Sequence, residues 1–338
     1  MKVRSKAPLR LGLAGGGTDV SPYCDDYGGA VLNTTIDMFA RCTISDDVSE
    51  TIFISEDYDK KEISKAGFQA LDGELVLHKA VYNIIFTRFL DSKFIPLKVI
   101  THCDAPPGSG LGSSSTLVVS MIKAYEVFFN FSLNEYELAD LAFEIERIEC
   151  GFAGGFQDQY SASFGGVNFI EFSKNRKSVV HRLRIKESIL YELEESMILF
   201  FTGISRSSEK IINHQKSAIQ NKDKLNALHE VKKYAEMIKN SLLVGDLDNF
   251  FNYQKESWAA KKATSKYIST DYIDNINKEL SEIGVKGIKI SGAGGGGFMM
   301  IYCSPELKKS ITKHLEKFDG TLYNLNFSKE GATSWTVK

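Results

Sequence analysis

Short apolar runs in the first half of the chain alternate with polar and glycine-rich segments, a pattern typical of strands and helices in succession. Strands are predicted at residues 3–13, 30–45, 52–55, 97–103 and 167–172. Helices are predicted at residues 75–90, 113–129 and 134–149, and Asn134 is the expected N-cap of the third. Residues 151–166 form a glycine-rich stretch between the third helix and the last of these strands.

The second half begins where the chain becomes strongly charged, near residues 184–196. We expect a domain boundary there, with a first domain of residues 1–185 and a second of residues 186–338. The second domain has predicted strands at residues 197–202, 287–291 and 321–327, a helical region from Ser208 to about Trp258, and a helix at residues 305–318. Two mixed layers that meet over glycine loops predict an α+β enzyme with its site in the seam.

Composition narrows the class of protein. The 338 residues carry 41 basic and 43 acidic side chains, and a net charge of −2 lacks the basic excess of a nucleic-acid-binding protein. The five cysteines are scattered and never form a Cys-x-x-Cys pair, which indicates reduced thiols and a cytoplasmic protein. Neither a signal peptide nor an apolar run of about 18–20 residues is present, so no membrane span is expected.

Residues 106–115 read PPGSGLGSSS and lead directly into an apolar helical run. Three glycines within five residues let the backbone curl so that successive N–H groups converge, and the serines can cap the helix. A helix N-terminus behind such a loop binds anions, most often phosphate. The loop lacks the Gly-Lys-Ser/Thr of a Walker A motif, so it predicts a phosphate site of another type.

A second glycine string contains Gly292, Gly294 and Gly297 in the spacing GxGxxG. In a dinucleotide-binding protein that string opens a helix, whereas here residues 298–303 continue as an apolar strand. We therefore expect a tight turn between two strands, either purely structural or helping to shape a site. A dinucleotide-dependent oxidoreductase is disfavoured for the same reason.

Acidic residues cluster at the end of the helix predicted for residues 134–149. Glu144, Glu146 and Glu149 all lie near its C-terminus, where carboxylates oppose the helix dipole, so at least one of them should have a compensating partner. Solvated surface acids remain the alternative for Glu144 and Glu149. Asp158 follows two glycines, Gly154 and Gly155, and precedes Gln159.

These segments, in this order, resemble the GHMP small-molecule kinases, which include galactokinase, homoserine kinase and mevalonate kinase. Residues 106–115 resemble motif 2 of that family and residues 289–298 resemble motif 3. Residues 6–13 resemble motif 1, with Arg10 at its basic position. The family usually continues with Gly-Glu-His, but residues 15–19 read GGGTD and resemble the heptose 7-phosphate kinases, with the fucokinases more distant.

The resemblance implies a two-domain GHMP kinase fold of the α+β class, with an N-terminal domain like ribosomal protein S5 domain 2 and a ferredoxin-like C-terminal domain. It implies ATP-dependent phosphorylation of the anomeric hydroxyl of D-glycero-α-D-manno-heptose 7-phosphate to the 1,7-bisphosphate, in nucleotide-activated heptose synthesis. The alternative is a kinase for an unphosphorylated sugar such as fucose or galactose. Neither nucleic acid nor membrane is an expected partner, and the sequence leaves open whether the chain acts alone or as a homodimer.

The resemblance also implies roles for single residues. Asp158 would accept or orient the proton of the acceptor hydroxyl, and Arg10 would stabilise the transferred group; a catalytically dead sugar-sensing relative would be expected to lack one of these or Glu146. ATP would lie on Pro107, Gly108, Ser109, Gly110, Leu111, Gly112, Ser113, Ser114 and Ser115, with Mg²⁺ held by Ser114 and Glu146. The substrate would contact Thr18, Asp19, Gly155, Arg206 and Gly294. Arg206 would bind a second phosphate, or else cap local backbone.

Overall fold

The computed structural model describes residues 1–173, 177–205 and 208–338. Its strands are β1 (Lys2–Ala14), β2 (Gly29–Ser45), β3 (Thr51–Ser55), β4 (Lys60–Ser64), β5 (Lys98–Cys103), β6 (Val167–Phe172), β7 (Ser178–Arg182), β8 (Met197–Phe201), β9 (Gly287–Ile290), β10 (Phe298–Tyr302), β11 (Thr321–Tyr323) and β12 (Thr333–Thr336). Its α-helices are α1 (Tyr23–Tyr27), α2 (Val76–Phe89), α3 (Ser113–Phe129), α4 (Glu135–Phe143), α5 (Gln157–Phe164), α6 (Glu187–Glu195), α7 (Ser208–Ala218), α8 (Lys222–Val244), α9 (Leu247–Thr264), α10 (Asp271–Ile283) and α11 (Lys308–Leu315).

The strands form two sheets. The larger has eight strands in the order β12-β1-β2-β5-β3-β4, with β6 and β7 joined beside β2, and only β3 and β5 run parallel. The long strand β2 pairs with β6 through residues 29–34 and with β5 through residues 40–45. The smaller sheet is antiparallel in the order β11-β8-β10-β9. Such sheets, with helices segregated against them, confirm the α+β class.

Helices cover each sheet and close separate cores. Tyr82 and Phe86 of α2 pack with Val119 and Tyr125 of α3 against the larger sheet. Helices α10 and α11 bury Ile276 and Ile311 against the smaller one. A further core contains leucines of β1, Phe250 of α9 and Met300 of β10, so both halves of the chain share apolar packing. This shared core fixes how the two halves face each other.

Several predicted elements differ in detail from the observed ones. The helical region predicted from Ser208 onward is three helices, because α8 ends at Gly245 in the left-handed conformation and Asp246 caps α9. The helix predicted to reach residue 149 changes to a π-helix over Glu144–Glu149. Residues 151–166 contain α5, which their glycine content does not predict.

The end of the chain returns to the larger sheet. Strand β12 pairs with β1, from Val3 opposite Thr336 to Lys6 opposite Thr333. The division into domains of residues 1–185 and 186–338 does not anticipate this pairing and stays a prediction. In the described part of the chain, none of the helices has the length and apolar character needed to cross a bilayer, and all five cysteines are free thiols.

Candidate active site

A cavity of about 420 Å³ opens where the loop before α3 meets the β1–β2 connection, α5, α9 and the β9–β10 turn. Its walls bring together residues from three of the predicted motifs and from the acidic segment, including Arg10, Gly110, Glu146, Asp158 and Gly292. These residues are up to 282 positions apart in sequence, as Arg10 and Gly292 show. The seam between the two halves therefore holds the cavity, as the sequence predicts.

The glycine loop adopts a conformation that other residues rarely reach. Gly110 and Gly112 have φ angles of 81° and 78°, and Gly112 caps the N-terminus of α3. A Cβ atom on Gly110 would lie 2.6 Å from the carbonyl oxygen of Ser291, and one on Gly292 would lie 2.7 Å from the carbonyl oxygen of Gly110. The two glycine segments thus touch backbone to backbone, and neither tolerates a side chain at the contact.

Six of the nine predicted ATP residues line the cavity, and three do not. Those that line the cavity are Gly108, Gly110, Gly112, Ser113, Ser114 and Ser115. Ser109 and Leu111 lie underneath: the Ser109 carbonyl accepts a hydrogen bond from the Phe298 backbone, and Leu111 belongs to the shared core. The Pro107 carbonyl accepts a hydrogen bond from Ser205 Oγ at 2.8 Å. The buried members support the loop rather than face the cavity.

Glu146 is held in place by four side chains. Its carboxylate accepts hydrogen bonds from Ser114 Oγ (2.7 Å), Ser115 Oγ (2.6 Å) and Gln159 Nε2 (2.7 Å), and it lies 3.1 Å from Arg147 Nη1. The wider π-helical turn brings the consecutive residues Glu146 and Arg147 to the same cavity. The predicted compensating partner of the acidic cluster is therefore confirmed.

Arg10 and Asp158 form a nearly buried ion pair at the mouth of the glycine loop. Arg10 Nη2 lies 2.6 Å from Asp158 Oδ1, Arg10 Nε donates to the same oxygen at 2.8 Å, and Arg10 Nη1 donates to the Gly110 carbonyl at 2.7 Å. A register shift in β1 between Pro8 and Arg10 precedes this contact, and such irregularities often redirect a side chain beside a site. The arginine thereby fixes the carboxylate against the loop.

Asp19 lines the same cavity. Its two carboxylate oxygens accept backbone hydrogen bonds from Gly17 and Gln157, each at 3.1 Å. Burial raises the pKa of Asp19, and the nearby negative charge of Asp158 acts in the same direction. A Cβ atom on Gly155 would lie 2.0 Å from Asp19 Oδ2, so residue 155 must be glycine for this carboxylate to fit.

Two other predicted substrate residues, Thr18 and Gly294, do not line the cavity. Thr18 is fully buried, and its hydroxyl lies 2.8 Å from the Gly15 carbonyl and 2.9 Å from the Ala30 carbonyl, so it holds the loop together. Gly294 packs on Ile268, where a Cβ atom would lie 2.8 Å from the carbonyl oxygen. Arg206 lies outside the described residues.

Sequence reasoning missed two buried lysines. Lys261 of α9 donates to the Gly292 carbonyl at 2.7 Å, and burial lowers its pKa to about 8. Lys289 of β9 donates to the Gly12 carbonyl at 2.6 Å, and burial likewise lowers its pKa well below the usual value. Both line the cavity. Lys261 lies outside the predicted motifs, where a lysine in an amphipathic helix normally indicates a solvated face. Lys289 is the first residue of the string that resembles motif 3, but no role was predicted for it.

A glycine loop at a helix N-terminus, facing an arginine–aspartate pair and a buried glutamate, is the arrangement of a small-molecule kinase. Two family models match the chain: the GHMP kinases N terminal domain at residues 77–166 and the GHMP kinases C terminal domain at residues 237–319. The chain belongs to the GHMP kinase family, whose members use ATP.

Relatives within that family match the whole chain. It is 42% identical to D-glycero-alpha-D-manno-heptose 7-phosphate kinase of Campylobacter jejuni over 99% of both chains. A crystal structure described as a D-glycero-D-manno-heptose 1-phosphate kinase from Bacteroides thetaiotaomicron superimposes with a TM-score of 0.86 at 38% identity, covering 99% of both chains. The bifunctional fucokinase/GDP-fucose pyrophosphorylase of Arabidopsis thaliana is 27% identical over 96% of this chain and 32% of its own length.

Proposed function

We propose that this chain transfers the γ-phosphoryl group of ATP to the anomeric hydroxyl of D-glycero-α-D-manno-heptose 7-phosphate. The product would be the 1,7-bisphosphate, a precursor for nucleotide-activated heptose. The observation that carries the proposal is the 42% identity, over 99% of each chain, to the Campylobacter jejuni heptose 7-phosphate kinase. The convergence of Arg10, Glu146 and Asp158 on one cavity supports it independently.

The glycine loop is the proposed site of the ATP phosphates. Its left-handed glycines turn the backbone toward the N-terminus of α3, whose first N–H groups lack partners within the helix. Converging N–H groups and the positive end of the helix dipole both favour a polyphosphate. The side chain of Ser113 lines the same wall and adds a hydroxyl donor.

The donor set beside this loop fits a magnesium ion that enters with ATP. Ser114 and Glu146 present hard oxygen atoms 2.7 Å apart. No group of three or more acidic, histidine or cysteine side chains able to hold a metal occurs in residues 1–173, 177–205 and 208–338. Two protein ligands suit Mg²⁺, which keeps water and phosphate oxygens around it. When bound, the ion would neutralise charge on the transferred group.

Asp158 is the proposed catalytic group for the acceptor. Its Oδ1 atom is taken by Arg10, while Oδ2 lies beside Gly112, where a Cβ atom would approach it to 3.1 Å. The second oxygen therefore lies where the phosphate loop borders the part of the cavity in which the acceptor sugar would bind. There it would orient the anomeric hydroxyl and take up its proton as the new O–P bond forms. Arg10 holds the carboxylate and stabilises charge on the transferred group.

Of the remaining predicted substrate residues, some would contact the substrate directly and others would act by shaping the site. Asp19 would bind sugar hydroxyls, and Gly155 leaves room for its carboxylate. Thr18 and Gly294 would act indirectly, because they shape the two loops that frame the acceptor. Arg206 remains the proposed ligand of the 7-phosphate, next to Ser205, whose hydroxyl already contacts the phosphate loop at Pro107.

A kinase for an unphosphorylated sugar is the second candidate, since the plant fucokinase relative matches 96% of this chain. An ATP-consumption assay with purified protein decides between them. The acceptors are heptose 7-phosphate, heptose 1-phosphate, mannose, fucose and galactose; heptose 1-phosphate is included because the two heptose relatives are named for different positions. We expect kcat/KM for heptose 7-phosphate to exceed the others by about ten- to a hundredfold, the value of one charge-assisted phosphate contact. Equal use of fucose would overturn the substrate assignment.

A further inference from the structure

Lys261 is a buried ammonium group whose hydrogen-bonding capacity is only partly used. Its side chain leaves α9 and reaches the cavity wall, and the residue is 3% exposed. An ammonium group has three N–H donors. Among the described residues, the Gly292 carbonyl is its one hydrogen-bond acceptor, at 2.7 Å. The other donors are therefore available to a molecule in the cavity.

Asp19 is the complementary charged group in the same cavity. It is 5% exposed, and each carboxylate oxygen accepts one backbone hydrogen bond, although a carboxylate can accept about four. The negative charge of Asp19 acts to raise the pKa of Lys261, against the larger effect of burial. Within the described structure no salt bridge joins the two side chains, although both line the cavity.

Two desolvated charges that attract each other without contact are unfavourable unless something lies between them. A carboxylate only accepts hydrogen bonds and an ammonium only donates them. A hydroxyl group does both, so it can accept from the lysine and donate to the aspartate. The acceptor site of a sugar kinase must bind several hydroxyl groups.

We propose that Lys261 and Asp19 together bind one hydroxyl group of the acceptor sugar, with Lys261 donating a hydrogen bond to its oxygen and Asp19 accepting a hydrogen bond from its O–H. This inference rests on the proposed function, since it requires a sugar in the cavity. Helix α9, in the C-terminal part of the chain, would then contribute directly to substrate recognition. The contact to Gly292 holds the ammonium group in place for that role.

Lys261→Met tests this assignment, with Lys262→Met as the matched control on the same helix. Lys262 points outward and pairs with Asp274 at 3.1 Å, so its loss should leave binding unchanged. Calorimetric titration with heptose 7-phosphate and, separately, with a non-hydrolysable ATP analogue gives both affinities. We expect Lys261→Met to weaken sugar binding about ten- to a hundredfold, the effect of one charge-assisted hydrogen bond. Its affinity for the ATP analogue should match that of the wild type.

A double-mutant cycle with Asp19→Asn tests whether both residues bind the same group. If they do, the two losses of sugar affinity are not additive, because either substitution alone breaks the bridge. Lys261→Arg keeps the positive charge and should recover part of the affinity. Melting curves accompany every variant; should Lys261→Met be unfolded, Lys261→Gln retains a donor for Gly292 and takes its place in the cycle.

Three outcomes decide the matter. Unchanged sugar affinity in the folded variant overturns the inference, and so does equal loss of sugar and nucleotide affinity, which would mean that Lys261 only supports the turn at Gly292. Loss of sugar affinity alone supports it. A wild-type protein that phosphorylates no sugar would instead contradict the proposed function, so the two failures are distinguishable.

Discussion

The cavity has a proposed phosphate half and a proposed acceptor half, and the two are built in different ways. The phosphate half is made of backbone and short side chains from one continuous string, residues 106–115, with Glu146 behind it. The acceptor half is made of long side chains from separate segments: Asp19 from the β1–β2 connection, Gln157 from α5, Gln215 from α7 and Lys261 from α9. The first half is local in sequence, whereas the second exists only once the chain has folded.

This difference suggests how specificity is divided. A backbone cradle at a helix N-terminus binds phosphate whatever molecule carries it. Side chains such as Asp19 and Lys261 can change without disturbing that cradle. We expect substitutions in the phosphate half to alter turnover or nucleotide binding, and those in the acceptor half to alter sugar affinity.

The largest effect is expected at the junction of the halves. Asp158→Asn keeps the size of the side chain but removes its capacity to take up a proton, so kcat should fall about 10²- to 10⁴-fold. Steady-state kinetics with saturating ATP and heptose 7-phosphate measures this. Near-full turnover in the variant would show that Asp158 has no catalytic role.

Glu146→Gln tests the phosphate half. The amide offers the metal a neutral oxygen in place of a charged one, so the Mg²⁺ concentration needed for nucleotide binding should rise about ten- to a hundredfold. Fluorescence titration of a labelled ATP analogue at varied Mg²⁺ measures this without turnover. Sugar affinity should stay at the wild-type value, and a selective loss of sugar binding would contradict the division between the halves.

A pH titration sharpens the acceptor half. Burial lowers the pKa of Lys261 to about 8, so the donating ammonium form is lost as pH rises through that value. Sugar affinity should therefore fall by up to about tenfold between pH 7 and 9. Among the described residues, the other charged side chains of the cavity wall are Arg10, Asp19, Glu146, Arg147, Asp158, Glu209 and Lys289.

Lys261→Arg provides the control for that titration. Arginine stays protonated throughout this range, so the variant should lose the fall in sugar affinity above pH 7. An unchanged fall in Lys261→Arg would assign the titration to another group in the cavity.

The smallest effect on binding is expected at Thr18. Thr18→Val removes the hydroxyl that joins Gly15 to Ala30, which should lower the free energy of unfolding by about 1–3 kcal/mol. Chemical denaturation measures that loss. Sugar affinity should change by less than about threefold, under 0.7 kcal/mol, because the hydroxyl faces the protein interior. A large loss of affinity in a stable variant would return Thr18 to the substrate site.

The same contrast explains what could be predicted from the sequence. Arg10, Glu146 and Asp158 lie in or next to recognisable strings, and the fold brings them together as expected. Strand boundaries were predicted closely where apolar runs were bounded by polar residues, as in β2 (Gly29–Ser45). The α+β class followed from the same alternation of segments.

The missed features depend on tertiary contacts. Lys261 and Lys289 lie in ordinary helical and strand patterns, and only packing against Gly292 and Gly12 turns their ammonium groups inward. Nothing in the sequence around Thr18 indicates that its hydroxyl contacts two backbone carbonyls rather than a ligand. Strand β12 pairs with β1 across more than 300 residues, a contact that no local pattern encodes.

We propose above that this chain is a kinase acting on the anomeric oxygen of a heptose phosphate. Phosphorus NMR of the product made by purified protein from ATP, Mg²⁺ and heptose 7-phosphate tests it most directly. We expect a second phosphate signal coupled to the anomeric proton, formed in step with ADP. A phosphate on any other oxygen, or no transfer to heptose 7-phosphate, would contradict it.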